Sequence, residues 1–127
     1  TPLPGGRQGR ILAVDDEPLV TSALRRMLGR EHEFSSENRA RAALERILAG
    51  ERFDVILCDL MMPDMTGIDL FEELERAVPD QAAKIIFLTG GTFGETATTF
   101  RSDLKNLCLE KPFGTNQLRS IVNSCIR

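Results

Sequence analysis

Residues 11–18 read "ILAVDDEP", an apolar run that stops on three consecutive carboxylates, Asp15, Asp16 and Glu17, followed by a proline. Like charges repel, and the end of a buried strand is a costly place to crowd three of them. Four continuously apolar residues are typical of a strand buried on both faces of a parallel sheet. The stretch therefore predicts a buried strand with a chemical site at its carboxyl end.

The rest of the chain alternates short apolar runs with helical patterns. Two more runs, "VILC" at 55–58 and "IIFL" at 85–88, are continuously apolar in the same way. Apolar residues three and four apart predict a helix after each strand, weakly so near 93–100, and Pro79 is expected to end the third helix. We predict five strands, at 11–14, 33–36, 55–58, 84–88 and 107–109. Five strand–helix units indicate an α/β fold, a doubly wound (βα)5 domain with a five-stranded parallel sheet.

Length, charge and cysteine spacing restrict the class of protein. The 127 residues are 42% hydrophobic and 28% charged, an ordinary balance for one globular domain. A net charge of −3 lacks the basic footprint of a nucleic-acid binder. No apolar run nears the roughly 20 residues that cross a bilayer, so direct membrane contact is not expected. Three widely spaced cysteines without a CxxC pair indicate reduced thiols in a cytoplasmic protein.

The beginning of the chain differs in composition from the rest. Residues 1–9, "TPLPGGRQG", are rich in Pro and Gly and predict a linker or tail, with the domain proper at 10–127. The first residue is Thr1, and the chain ends with the last predicted helix. We therefore expect a segment of a longer protein whose partner domain lies upstream.

Side chains that carry charge or a hydroxyl follow four of the predicted strands. Asp15 and Asp16 follow the first strand, Asp59 the third, Thr89 the fourth and Lys111 the fifth. Ligands of open parallel sheets bind beyond this carboxyl edge, so we expect these side chains to meet there. Clustered carboxylates need a counter-charge, and Mg²⁺ prefers oxygen ligands such as one or two carboxylates with phosphate oxygens. The sequence therefore predicts a magnesium site on the three aspartates.

Four segments in this order, "VDDEP" at 14–18, "DVILCDLMMPDMTG" at 54–67, "FLTGG" at 87–91 and "LEKPF" at 109–113, resemble the receiver domain of two-component response regulators. Two adjacent aspartates alone would not identify a family, but the four segments in this order are specific for this one. The resemblance spans 10–127 and implies the flavodoxin-like receiver fold.

Taken position by position, the resemblance implies that Asp59 is the phosphoacceptor. Its donor would be the phosphohistidine of a histidine kinase or of a histidine phosphotransfer domain. Asp16 would hold Mg²⁺ directly, Asp15 would act on it partly through water, and the backbone carbonyl of Met61 would add a ligand beside Asp59.

The resemblance also assigns the groups that would contact the phosphoryl oxygens. Thr89 would donate a hydrogen bond to one oxygen, and Lys111 would pair with another. The Lys111–Pro112 peptide is cis in the family, which is plausible because proline nearly removes the preference for trans. Gly90 and Gly91 would give the next loop the freedom to move as Thr89 is drawn inward.

One position departs from the family pattern. An aromatic residue usually lies three residues before the lysine and swings inward as the threonine moves, whereas this chain has Cys108 there. We therefore predict a reduced structural response to phosphorylation, with receipt of the phosphoryl group intact.

Several other reactive or charged residues receive structural interpretations. His32, the only histidine, lies in "GREHEF" at the end of the first helix, and we interpret it as a solvated surface residue. Cys58 lies in an apolar strand without a paired base, which indicates a buried structural thiol. Solvated helix faces are the interpretation for Arg25, Arg26, Arg39, Arg41 and Arg46.

The wider context of the domain leaves several interpretations open. "FLTGG" and "LEKPF" are similar to receivers at the carboxyl end of hybrid sensor histidine kinases, and we prefer that placement. The alternatives are a free-standing phosphorelay shuttle, a Mg²⁺-dependent phosphohydrolase and a degenerate receiver used only for docking. The hydrolase is disfavoured because no second carboxylate is placed as a general acid near Asp59, and the docking module because every catalytic position is filled.

Overall fold

The structure, a computed structural model, describes residues 8–89, 106, 108–111 and 113–126. Its strands are β1 at Arg10–Val14, β2 at Glu33–Glu37, β3 at Val55–Asp59, β4 at Ile85–Thr89 and β5 at Cys108–Glu110. All neighbouring strands are parallel, and their order in the sheet is β2-β1-β3-β4-β5. The predicted α/β fold with a five-stranded parallel sheet is confirmed, and each strand lies within one residue of its predicted bounds.

The described helices are α1 at Pro18–Leu28, α2 at Ala40–Leu48, α3 at Gly67–Ala77, α4 at Pro79–Ala82 and α5 at Thr115–Ile126. The helix predicted near 93–100 lies outside the described residues. As expected, the third helix ends just before Pro79, with α3 stopping at Ala77, and Pro79 then begins α4. Proline is well suited to the first turn of a helix, because it has no N–H that would need a partner there.

The interior strand β1 is buried on both faces of the sheet. Leu12 and Val14 belong to one apolar layer, and Ile11 and Ala13 belong to the other, since successive side chains of a strand point to opposite faces. The helices complete the two layers with Ala43, Leu44, Leu70 and Phe71 on the first face, and Leu24, Leu28, Leu118 and Val122 on the second. Helices α2 and α3 therefore cover one face, and α1 and α5 cover the other.

The strand order determines where the sheet opens toward a ligand. The chain leaves β1 for β2 on one side and returns to β3 on the other side of β1. The loops that leave β1 and β3 therefore diverge, which creates a crevice at their carboxyl ends. Among the described helices, none combines the length and apolar character needed to cross a bilayer.

His32 is buried, with 4% of its surface exposed, so the prediction of a solvated histidine was wrong. The backbone N–H of Gly9 donates to its Nδ1 at 3.0 Å, and its Nε2 lies 2.8 Å from Oδ1 of Asn123 on α5. A histidine can be buried when both ring nitrogens have partners. The ring thus links the entry to β1, the start of β2 and the last helix.

Arg46 was predicted on a solvated helix face, but it joins α2 to the sheet edge. Its guanidinium lies 2.8 Å from Glu51 and 3.3 Å from Glu37, and it stacks on the ring of Phe53 at 5.3 Å. The hydrogen bond from Arg46 is the main reason that the pKa of Glu51 falls to about 2. This ion-pair cluster borders β2, an edge strand.

Candidate functional site

The three aspartates predicted to bind a metal meet at the carboxyl edge of the sheet. Asp15 and Asp16 follow β1, Asp59 ends β3, and these two strands are neighbours in the sheet. One carboxylate oxygen from each aspartate lies within 4.8 Å of the others. Asp15 is fully buried and Asp59 is 8% exposed, whereas Asp16 faces solvent. The three aspartates named from the sequence therefore lie together, while their binding of a metal stays a prediction.

Lys111 supplies a positive charge to this acidic cluster. Its Nζ lies 2.8 Å from Oδ2 of Asp15 and 3.7 Å from Oδ1 of Asp59. Burial opposes the charged ammonium, but the hydrogen bond and the charges of the two aspartates outweigh it and raise the pKa of Lys111. The backbone N–H of Lys111 also donates to the carbonyl of Thr89 at 2.6 Å, which fixes the start of the loop after β5.

Asp59 is an unusually weak acid for an aspartate. Burial is the main reason that its pKa rises from 3.8 to about 6, and the charge of Asp15 raises it further. The charge of Lys111 and a long hydrogen bond from the N–H of Met61, at 3.5 Å, oppose the rise. A nearby cation would stabilise the charged form of Asp59, because burial and the charge of Asp15 make that form unfavourable.

The donor set fits a hard divalent cation. Among the described residues, the carboxylates of the three aspartates and the ammonium of Lys111 together leave two excess negative charges, and the ligand atoms that the aspartates offer are all oxygens. Hard cations such as Mg²⁺ prefer this chemistry, with water and phosphate oxygens completing the coordination. The backbone of Met61 borders the cluster through its contact with Asp59, while its carbonyl as a ligand stays a prediction.

Thr89 is buried at the end of β4, next to the strand that carries Asp59. Leu88 pairs with Asp59 across the two strands, so Thr89 lies one position farther along. Its hydroxyl donates to the carbonyl of Leu109 at 3.5 Å. To contact a group on Asp59, the Thr89 hydroxyl would have to give up this bond.

The remaining predicted site positions are only partly covered by the structure. Gly90, Gly91 and Pro112 lie outside the described residues, so the cis peptide stays a prediction. Cys108 is exposed on β5, where it pairs with Phe87 of β4. The small side chain at this position is therefore adjacent to the strand that ends in Thr89.

Cys58 is a buried structural thiol, as predicted. It has no exposed surface, and its Sγ donates to the carbonyl of Asp59 at 3.4 Å. Burial, followed by the charge of Asp59, raises the pKa of the Cys58 thiol well above its ordinary value. A thiol this weakly acidic is a poor nucleophile, since the thiolate is the reactive form.

Two residues that position the site were missed in the sequence. The side-chain amide of Asn38 donates to the carbonyl of Asp15 at 2.9 Å and so ties the β2–α2 loop to the acidic cluster. Gly67, the first residue of α3, lies so close to β3 that a Cβ there would stand 2.5 Å from the carbonyl oxygen of Asp59. Gly67 stood in the quoted motif, but close approach to a distant backbone leaves no local signal in a sequence.

This chain belongs to the response regulator receiver domain family, whose profile matches residues 11–123. The flavodoxin-like fold and the acidic pocket at the carboxyl edge agree with that membership. Receiver domains of two-component systems accept phosphate from histidine kinases or phosphotransfer proteins, and their acidic pocket typically binds a divalent metal.

The matched proteins differ in how much of their own length this chain spans. Two-component response regulator ORR22 of Oryza sativa subsp. indica is 34% identical over 93% of this chain, which spans only 17% of that protein. Transcriptional regulatory protein SpaR of Bacillus subtilis is 30% identical over 93% of the chain, which spans 52% of SpaR. Among solved structures, the signal receiver domain of a histidine kinase from Syntrophus aciditrophicus is 26% identical, with a TM-score of 0.77 over 93% of this chain and 89% of that one.

Proposed function

We propose that this domain accepts a phosphoryl group on Asp59 from a phosphohistidine donor, in a reaction that depends on Mg²⁺. The observation that carries the proposal is the position of Asp59, with two further aspartates within 4.8 Å and the ammonium of Lys111 at 3.7 Å. A carboxylate nucleophile, a cation site and a fixed ammonium are the groups that phosphoryl transfer to an aspartate requires.

The chemistry is a simple exchange of bonds at phosphorus. A carboxylate oxygen of Asp59 attacks the phosphorus in line with the leaving imidazole, so that an O–P bond forms as the P–N bond breaks. The product is an acyl phosphate on Asp59, and the imidazole keeps the electron pair of the broken bond. At neutral pH, a pKa of about 6 leaves most Asp59 side chains ionised and able to attack.

Positioning and charge provide the catalysis. When bound, Mg²⁺ would neutralise charge on the transferring phosphoryl oxygens, and Asp15, Asp16 and Asp59 would hold it with the Met61 carbonyl. The ammonium of Lys111 would move from Asp15 to a phosphoryl oxygen, over the short distance that separates the two carboxylates.

Thr89 would respond to the phosphorylation of Asp59. Its hydroxyl would leave the carbonyl of Leu109 and donate to a phosphoryl oxygen, and this movement would pull on the loop after β4. The exchange of one hydrogen-bond acceptor for another is the switching event of the domain.

The most suitable context for the domain is a cytoplasmic phosphorelay, as the carboxyl-terminal receiver of a hybrid sensor histidine kinase. The similarity to the receiver of a Syntrophus histidine kinase over most of both chains supports this placement. A sequence upstream of Thr1 that encodes a histidine-bearing helical hairpin and an ATP-binding domain would be the direct test.

Acetyl phosphate can test the acceptor without a kinase. With Mg²⁺, intact-mass spectrometry should detect one phosphoryl group on the wild-type chain and on Asp64→Asn, a matched change in the exposed loop after β3. Asp59→Asn, or the wild type with a chelator, should carry none. Continuous release of phosphate without an adduct would instead indicate a hydrolase, and no reaction at all would indicate a docking module.

A further inference from the structure

A basic cleft lies between α1 and α5, away from the acidic site. Its volume is about 400 Å³, and its lining combines four charged side chains with one apolar and one hydroxyl side chain. The lining residues are Arg26, Met27, Arg30, Glu31, Thr115 and Arg119. The volume is within the range of ligand clefts, about 300–1,000 Å³.

One of the three arginines is held in place by the protein itself. Glu31 is 8% exposed and receives two hydrogen bonds from Arg119, one of them from Nε at 3.0 Å. This two-point contact directs the guanidinium of Arg119 along the wall of the cleft. Both carboxylate oxygens of Glu31 therefore accept hydrogen bonds from Arg119.

Within the described part of the chain, the other two arginines have no such partner. Arg26 and Arg30 are exposed, and neither forms an ion pair with any residue in the described ranges. Among the described residues that line the cleft, three guanidinium groups and one carboxylate leave two excess positive charges, although the whole chain has a net charge of −3. Arginine forks match carboxylates in bidentate geometry, so this local excess is complementary to an acidic ligand.

The helix dipole explains only part of this arrangement. Arg26 lies in the last turn of α1, where a positive charge is favourable. Arg30 lies beyond the end of that helix, and the position of Arg119 in α5 is explained by its ion pair with Glu31. A docking role accounts for the two exposed arginines, Arg26 and Arg30, on the α1 side of the cleft.

We infer that the α1–α5 cleft docks an acidic peptide segment of a partner protein. The half-buried thioether of Met27 gives the cleft an apolar surface that a free anion would not use, and methionine adapts well to varied side chains. A nucleic acid is a poor candidate because the chain as a whole is negatively charged. This inference does not depend on the chemistry of Asp59.

Fluorescence anisotropy can test the cleft with a labelled peptide in which glutamates alternate with leucines. We expect saturable binding that weakens about tenfold in Arg26→Glu/Arg30→Glu. The matched control Arg39→Glu/Arg41→Glu changes the net charge equally on another helix and should bind as the wild type does. Arg26→Gln/Arg30→Gln, which removes charge without reversing it, should weaken binding less, and circular dichroism should confirm that all variants fold.

Three results would overturn the inference. One is an equal loss of peptide binding in the cleft variant and in the control variant, which would indicate general electrostatics. Another is equal binding of a peptide with lysines in place of the glutamates. The third is full displacement of the peptide by inorganic phosphate at matched ionic strength, which would indicate a simple anion site.

Discussion

Asp59 lies between charges of opposite sign in a nearly closed environment. Asp15 and burial make its charged form costly, while Lys111 offers a counter-charge that is closer to Asp15 than to Asp59. Without a cation, the ionised carboxylate of Asp59 therefore reduces the stability of the folded chain. In the metal-free protein, the ionised carboxylate of Asp59 should therefore lower the free energy of unfolding.

The pH dependence of stability should reveal that cost. The pKa of Asp59 is about 6 in the folded chain against an ordinary 3.8, so the folded state binds the proton more tightly. Its contribution to the free energy of unfolding is therefore lost as the pH rises from about 4 to about 6. In excess chelator at pH 7, we expect Asp59→Asn to be more stable than the wild type by about 1–3 kcal/mol.

Urea unfolding at pH 4 and at pH 7 would measure this difference. The advantage of Asp59→Asn should shrink at pH 4, where the wild-type carboxyl is largely protonated. Adding Mg²⁺ at pH 7 should stabilise the wild type more than the variant, because a ligand of the folded state raises stability by mass action. Equal stability of the two proteins at both pH values would contradict the electrostatic account.

At the scale of elements, the junction of β3 and α3 limits where Asp59 can lie. A methyl group at Gly67 would collide with the carbonyl oxygen of Asp59, so either the strand or the helix must shift. We expect Gly67→Ala to lower the free energy of unfolding by about 1–3 kcal/mol and to slow phosphorylation by acetyl phosphate. Gly114→Ala is the matched control, because a Cβ there meets no atom within 4 Å. Normal phosphorylation of a folded Gly67→Ala protein would argue against this positioning role.

The edge strand β5 should respond weakly to phosphorylation. Phe87 pairs with Cys108 and Thr89 pairs with Glu110, so the thiol lies on the same face of the sheet as Thr89. A thiol is too small to fill the space that Thr89 would leave, and we expect beryllofluoride with Mg²⁺ to shift the amide signals of 108–110 only slightly. Cys108→Tyr should enlarge those shifts, whereas Cys108→Ser, which adds no ring, should not. Large shifts in the wild type would contradict the prediction.

At the scale of the whole molecule, His32 connects parts of the chain that are distant in sequence. Removing its ring would leave the N–H of Gly9 and the amide of Asn123 without their partner, at a cost of about 2–4 kcal/mol for His32→Ala. A double-mutant cycle with Asn123→Ala, measured by urea unfolding, should give a coupling energy of about 0.5–3 kcal/mol. Additive effects of the two changes would mean that the contact does not contribute to stability.

Much of the architecture could be predicted because it depends on local patterns. The continuously apolar runs located the central strands, and the parallel topology then brought Asp15, Asp59 and Lys111 to one edge. What could not be predicted depends on contacts between distant segments, such as the burial of His32 and the approach of Gly67 to β3. A histidine flanked by glutamates carries no sign in the sequence that Gly9 and Asn123 will satisfy its ring.

The central claim is that Asp59 itself becomes an acyl phosphate. Borohydride reduces an aspartyl phosphate to homoserine, so the chain can be treated with Mg²⁺ and acetyl phosphate, reduced, digested and sequenced by mass spectrometry. We expect homoserine at position 59 and at no other aspartate, including Asp15 and Asp16, and none when Mg²⁺ is omitted. Homoserine at another position, or a phosphoryl group found on a serine, threonine or histidine with Asp59 unmodified, would contradict it.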